Sequence, residues 1–163
     1  MKRIAILLAA LLLTATSASA QTGKSIYQRY SGSPGVSAVY ISPAMFRLIG
    51  RIPDIQVNGG NLDFAPVIRT LSGLYLLTSK NIPVSTKIIS EVDRLVSNDD
   101  YELLMEAKDN GEAVRMFTTG TESIVHGLIM LAVDGPETTF ICLDGKMDRA
   151  ALEKILLENM NKK

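Results

Sequence analysis

The stretch 101-YELLMEAKDNGEAVRMFTTGTESIVHGLIMLAVDGPETTFICL-143 decides the fold of this chain. Four strand-like segments follow one another: Tyr101 to Lys108, Glu112 to Thr119, Ser123 to Val133 and Thr138 to Leu143. Between them lie Asp109-Asn110-Gly111, Gly120-Thr121-Glu122 and Asp134-Gly135-Pro136. Such links suit tight hairpins, because glycine, asparagine and aspartate tolerate the positive φ that these turns demand. The spacing therefore predicts a four-stranded antiparallel meander.

Downstream, Asp148 to Met160 returns to helical spacing through Ala151, Leu152, Ile155, Leu156 and Asn159, with Asp148 as the expected cap. Upstream, Ile88, Ile89, Val92, Leu95 and Val96 mark one face of a helix expected from Ser85 to Asn98. Leu74 to Thr78 is apolar on both alternating faces and is expected as an inner strand, entered through a turn at Ser72-Gly73. Val36 to Ser42 has the same character and is expected as a second, central strand.

Shorter helices complete the outline. Thr22 is placed to cap one carrying Ile26, Tyr27 and Tyr30, which stops at Ser31-Gly32-Ser33-Pro34-Gly35. Ser42-Pro43 opens another, with Met45, Phe46, Leu48 and Ile49 as its buried side. Asp63 and Pro66 open a third through Val67, Ile68 and Leu71. Gly50 to Asn61 is the least regular stretch, with Ile55 and Val57 as a brief extended segment. The expected class is α+β: a largely antiparallel sheet, made of the carboxy-terminal meander plus two inner strands, with helices packed on one face.

The chain starts differently. Lys2 and Arg3 precede ten apolar residues, Ile4 to Leu13, and Ala18-Ser19-Ala20 follows. This is the pattern of a secretory signal; an apolar run of about twenty residues is needed to span a bilayer. Residues 1–20 are therefore expected to be a signal peptide cleaved after Ala20, and 21–163 a single α+β domain. A lipoprotein anchor needs a cysteine just after the apolar run, but the one cysteine is Cys142. No stable membrane anchor is expected after cleavage.

A chain of this length buries enough surface for one core without disulfides, and a single cysteine allows no internal bridge. Loss of Lys2 and Arg3 lowers the basic count from 17 to 15 against 17 acidic residues, a formal charge of −2. No basic cluster interleaved with aromatics appears, so a nucleic-acid partner is not expected.

Candidate chemistry is sparse. His126 is the only histidine; it shares a strand side with Ile124, Leu128 and Met130 and reads as a packed or hydrogen-bonded residue before a catalytic base. Cys142 alternates with Phe140 and reads as a buried thiol. A Cys142/His126 nucleophile pair needs both side chains on one sheet face. Of Asp99, Asp100, Glu102, Glu106, Asp109, Asp134, Asp144 and Asp148, most fall at turns and caps, although dispersed carboxylates are also how hydrolases of the glycosidase kind are built. Asp144-Gly145-Lys146-Met147-Asp148 lacks the calcium-loop ligand series, and Asn58-Gly59-Gly60-Asn61 lacks the lysine of a phosphate loop. Arg47, Arg51 and Arg69 flank that glycine pair as a possible anion site. Seven methionines, including Met1, are expected to fill gaps in the core. No catalytic residue, metal site or cofactor is assigned on these grounds, and the binding residues stay unknown.

Several segments together resemble one bacterial family. They are Gly35-Val36-Ser37-Ala38-Val39-Tyr40-Ile41-Ser42 with Met45, Leu71-Ser72-Gly73-Leu74-Tyr75-Leu76-Leu77-Thr78-Ser79, Tyr101 to Gly111, Leu128-Ile129-Met130-Leu131 and Leu143 to Asp148. The family is domain of unknown function 4252, and the similarity covers nearly all of the chain after residue 20. The resemblance implies a small exported α+β domain of the Gram-negative envelope with no assigned activity, and gene neighbours among envelope-stress sigma and anti-sigma factors. Some members are lipoproteins; this chain departs from them in lacking the anchoring cysteine. The expected function is a non-catalytic binding or interaction module, periplasmic or secreted, with an unidentified protein or small ligand as partner. The alternative is a small exported hydrolase using dispersed carboxylates or the Cys142/His126 pair.

Overall fold

The computed structural model describes residues 22–49, 65–97 and 100–160. In chain order the elements are α1 (Gly23–Tyr30), β1 (Val36–Ile41), α2 (Pro43–Ile49), α3 (Ala65–Ile68), β2 (Leu71–Ser79), α4 (Ile82–Val96), β3 (Tyr101–Asp109), β4 (Glu112–Gly120), β5 (Ile124–Asp134), β6 (Glu137–Asp148) and α5 (Arg149–Met160). The strands form one antiparallel sheet in the order β1-β2-β6-β5-β4-β3. The α+β expectation holds, and so does the meander.

Its turns behave as their residues dictate. Asp109 pairs with Glu112 across Asn110-Gly111, where φ is 45° and 92°; two positive φ values in a two-residue loop match the right-handed twist of the flanking strands. Asp134 pairs with Glu137 across Gly135, at φ 53°, and Pro136.

One face of the sheet carries the main core. Ile26 and Tyr30 of α1 and Ile88, Val92 and Leu95 of α4 pack on Tyr75, Leu77, Phe117, Ile129, Leu131, Phe140 and Cys142. Each fully buried large side chain stabilises the fold by roughly 1.5–3 kcal/mol. Arg115 of β4 ties α4 down through Asp93 at 2.8 Å, and Glu91 of α4 accepts from both Arg29 and the Tyr30 hydroxyl of α1. A second cluster gathers Phe46 of α2, Val67 of α3, Leu71, Val125 and Met147, with Ala151 and Leu152 of α5 packed against it.

Several boundaries differ from expectation. β1 is an edge strand, not a central one: its inward residues Val36 and Ala38 pack on the main core, while Val39 and Tyr40 remain 46% and 49% exposed. Apolar character on both faces thus does not require a strand on both sides. Thr22 precedes α1 but its side chain makes no capping bond; its carbonyl instead accepts from Ser25 N–H at 2.9 Å. Ser42 does cap α2, accepting from Met45 N–H at 3.3 Å, yet Met45 and Leu48 are exposed while Phe46 is buried. Leu71 opens β2 rather than closing α3, and Ser72-Gly73 is a register shift inside β2, not a turn.

α4 starts at Ile82, three residues before Ser85, because Asn81 is the cap: its Oδ1 accepts from Val84 N–H at 3.3 Å. β6 runs through to Asp148, absorbing the Asp144–Asp148 segment, and Asp148 then caps α5 as expected, accepting from Ala151 N–H at 2.8 Å. Residues 1–21 and the expectations at Gly50 to Asn61, Arg51, Asp63, Asn98 and Asp99 lie outside the described residues.

Candidate functional site

β6 carries the candidate side chains Cys142, Asp144 and Asp148. Leu143 and Asp144 pair with both neighbours, and the register shifts on both flanks beside Asp144: between Leu71 and Gly73 in β2 and between Val125 and Gly127 in β5. Cys142 sits one pleat away on the helix-covered face, 1% exposed. Its thiol donates to Asp144 Oδ1 at 3.4 Å. Gly23, the first residue of α1, rests on the sulfur, where any Cβ would overlap it.

This environment holds the thiol protonated. Burial, the Asp144 charge and the hydrogen bond to Asp144 all push it well above the ordinary thiol range. Burial also raises the Asp144 carboxyl, against the opposing pull of the Cys142 hydrogen bond and Lys24. Around the pair stand phenols. Tyr75 stacks on Tyr40 with ring centroids 5.1 Å apart and lies 5.4 Å from Tyr27; burial first, then Tyr40, Asp144 and Cys142, push it up to about 12. Burial likewise lifts Tyr101 to about 12. A thiolate is the reactive form of cysteine, and nothing in this setting favours it.

His126 is not brought to Cys142. Burial along β5 alternates from Ile124 to Ala132, with Val125, Gly127, Ile129 and Leu131 buried, so His126 belongs to the face opposite Ile129 and its partner Cys142. It is exposed there, not packed among Ile124, Leu128 and Met130 as the sequence suggested. The pairing of β5 with β6 shifts register beside it, between Val125 and Gly127. Among the described residues no three of histidine, cysteine, aspartate and glutamate are grouped to hold a metal. Arg47 lies in the last turn of α2 and Arg69 follows α3, both exposed.

The opposite face supplies the feature that the sequence did not show. Following the ladder across all six strands, Val39 meets Leu76, Leu76 meets Ile141, Ile141 meets Met130, Met130 meets Met116 and Met116 meets Met105. None of these six belongs to either core cluster. Val39 and Met105 are exposed and the four between them are partly so. The adjoining row, Ser37, Thr78, Thr139, Ala132, Val114 and Ala107, is uncharged. Apolar side chains that reach solvent in one row across a sheet are a candidate surface for an interaction partner.

Three methionines expected in the core, Met105, Met116 and Met130, thus stand outside both core clusters, on a face that the second cluster covers at Ile41, Leu74 and Leu143; among the described residues Met147 is the buried methionine. The signal was present in the turns. A two-residue turn at Asn110-Gly111 already sets Met105 opposite Met116, and the turn at Gly135-Pro136 sets Met130 opposite Ile141.

A family model described as a domain of unknown function (DUF4252) matches residues 30–155. No curated protein and no solved structure matches the chain.

Proposed function

We propose that this chain, which belongs to the domain of unknown function 4252 family, is an exported, non-catalytic interaction module of the bacterial envelope that presents the part of its sheet face bearing Met116 and Met130 to a partner protein. The observation that carries the reading is the cross-sheet row Val39, Leu76, Ile141, Met130, Met116 and Met105, apolar over six strands and outside both cores. A flat face suits a protein, whereas a small ligand needs a concave site that surrounds it. Methionine suits such a surface because its unbranched thioether adapts to differently shaped partners.

Export is supported by the basic start, the short apolar run and the small residues ending at Ala20. No helix among the described residues is long and apolar enough to cross a membrane. The stress-regulation setting of the family resemblance fits a partner in the periplasm.

The test places a photo-crosslinking residue at Met116, Met130 or, as a control on exposed α4, Ser90, in cells of the native host. Adducts of one common mass from positions 116 and 130, lost when Leu76→Glu is added and absent from position 90, are the expected result. Absence of adducts at both face positions overturns the reading, and a cytosolic chain that still begins at Met1 overturns the export half of it.

A further inference from the structure

The two edges of the sheet differ in kind. β3, at one edge, carries Glu102, Glu106, Lys108 and Asp109 and is interrupted by a bulge between Leu103 and Met105. Charges and bulges of this sort deter another chain from adding a strand. β1, at the other edge, reads Val36-Ser37-Ala38-Val39-Tyr40-Ile41: no charge, no proline, no bulge, and unbroken register with β2 over all six residues.

Strand geometry turns the N–H and C=O of every second residue in β1 away from β2. Among the described residues no strand pairs with that outer side. Val36 N–H is returned to the Ser33 carbonyl at 3.2 Å. The rest of the edge is a template of matched donors and acceptors, with Val39 and Tyr40 as exposed apolar side chains on its two faces.

We infer that β1 is a homodimerisation edge, on which a second copy of this chain pairs its own β1 antiparallel about a two-fold axis through Val39, normal to the sheet. An axis in that direction keeps each face of the sheet on its own side, so residues meet only those of the same parity. Val39 meets Val39 of the second copy, and Ala38 meets Tyr40, whose half-exposed ring covers the small alanine. Paired apolar and β-branched side chains are favourable across an antiparallel ladder, and no charge is brought against another.

The occupant follows from the contrast between the edges. Head-to-tail addition of β1 to β3 would build an open filament, and β3 blocks it with four charged side chains and a bulge. Self-pairing of β1 is the arrangement that satisfies the edge left unpaired among the described residues and closes at two copies. The product is a continuous twelve-stranded sheet in which the apolar rows of both copies join at Val39. The inference is independent of the partner proposed for the face, since it uses backbone groups on the edge.

The test measures the mass of a chain beginning at Gln21, which keeps every described residue, by sedimentation equilibrium from micromolar to submillimolar concentration. Expected are twice the chain mass at the upper end, a monomer of unchanged circular dichroism for Val39→Lys, and a disulfide-linked dimer for Val39→Cys under mild oxidation. The same treatment of Met130→Cys, remote from the axis, gives no crosslink. A monomer throughout, masses beyond two copies, or a dimer that survives Val39→Lys but is lost in Met130→Asp each overturns the inference.

Discussion

Gly23 and Cys142 are in direct contact: the first residue of α1 lies against the sulfur of β6 so closely that a methyl group at position 23 would overlap it. The same methyl would come within 2.9 Å of Cys142 Cβ. Helix and strand are therefore seated on each other through the smallest side chain available. Gly23→Ala is expected to destabilise the fold by about 1–3 kcal/mol, the usual cost of overpacking a filled core. Cys142→Ala removes the nearer obstacle, so the double variant should lose less than the two single losses combined; thermal melts of the four proteins complete the cycle.

The polar surroundings of β6 predict how the protein responds to base. Cys142, Tyr75 and Tyr101 all bind their protons more tightly in the folded state than in the unfolded one. The folded chain consequently holds more protons at alkaline pH, and stability falls as pH rises. The decline begins above the unfolded thiol value of about 8.5 and steepens above the unfolded phenol value of about 10, continuing to about 12 for the tyrosines. Melting temperatures measured from pH 7 to 11 should show it. At pH 7.5 the folded protein should resist iodoacetamide and react at one site once denatured; equally fast alkylation of the folded protein would contradict the buried, protonated thiol.

Gly145 is held by backbone rather than by side chains. A Cβ there would stand 2.7 Å from the Thr70 carbonyl oxygen and 3.0 Å from Leu71 Cα, and the next residue, Lys146, donates its N–H to that same carbonyl at 3.2 Å. Nothing flexible can yield, so Gly145→Ala should cost about 2–3 kcal/mol. Gly111, at φ 92° with open space around it, should cost about 1 kcal/mol through backbone strain alone. Gly32, with neither constraint, should tolerate alanine without loss. Denaturant midpoints that do not follow this order would contradict the placement of β6 against residues 70 and 71.

The meander was legible because its information is local. Asn110-Gly111 and Gly135-Pro136 each fix a turn, and each turn fixes the register of the strands it joins. The positions of β1 and β2 were not legible in the same way. They reach β6 through pairings such as Leu77 with Phe140, across a long stretch of chain, and no turn residue encodes that join. Periodicity also reports which residues share a face without reporting whether anything covers it. For that reason Met116 and Met130 read as core and His126 as packed, although all three lie outside both clusters. The candidate pair of Cys142 with His126 failed on the same ground, since parity along β5 separates them.

The strand order also sets a timetable for folding. β3, β4, β5 and β6 are joined by short turns and close as local hairpins at little entropic cost, whereas β2 must find β6 across more than half of the sheet sequence. β2 is made early by the ribosome yet waits for β6, the last strand to emerge, before its inner edge is paired. α1 depends on the same late arrival, because its floor includes Phe140 and Cys142. The nascent chain thus lacks its native scaffold until β6 has emerged, which leaves it threadable up to that point.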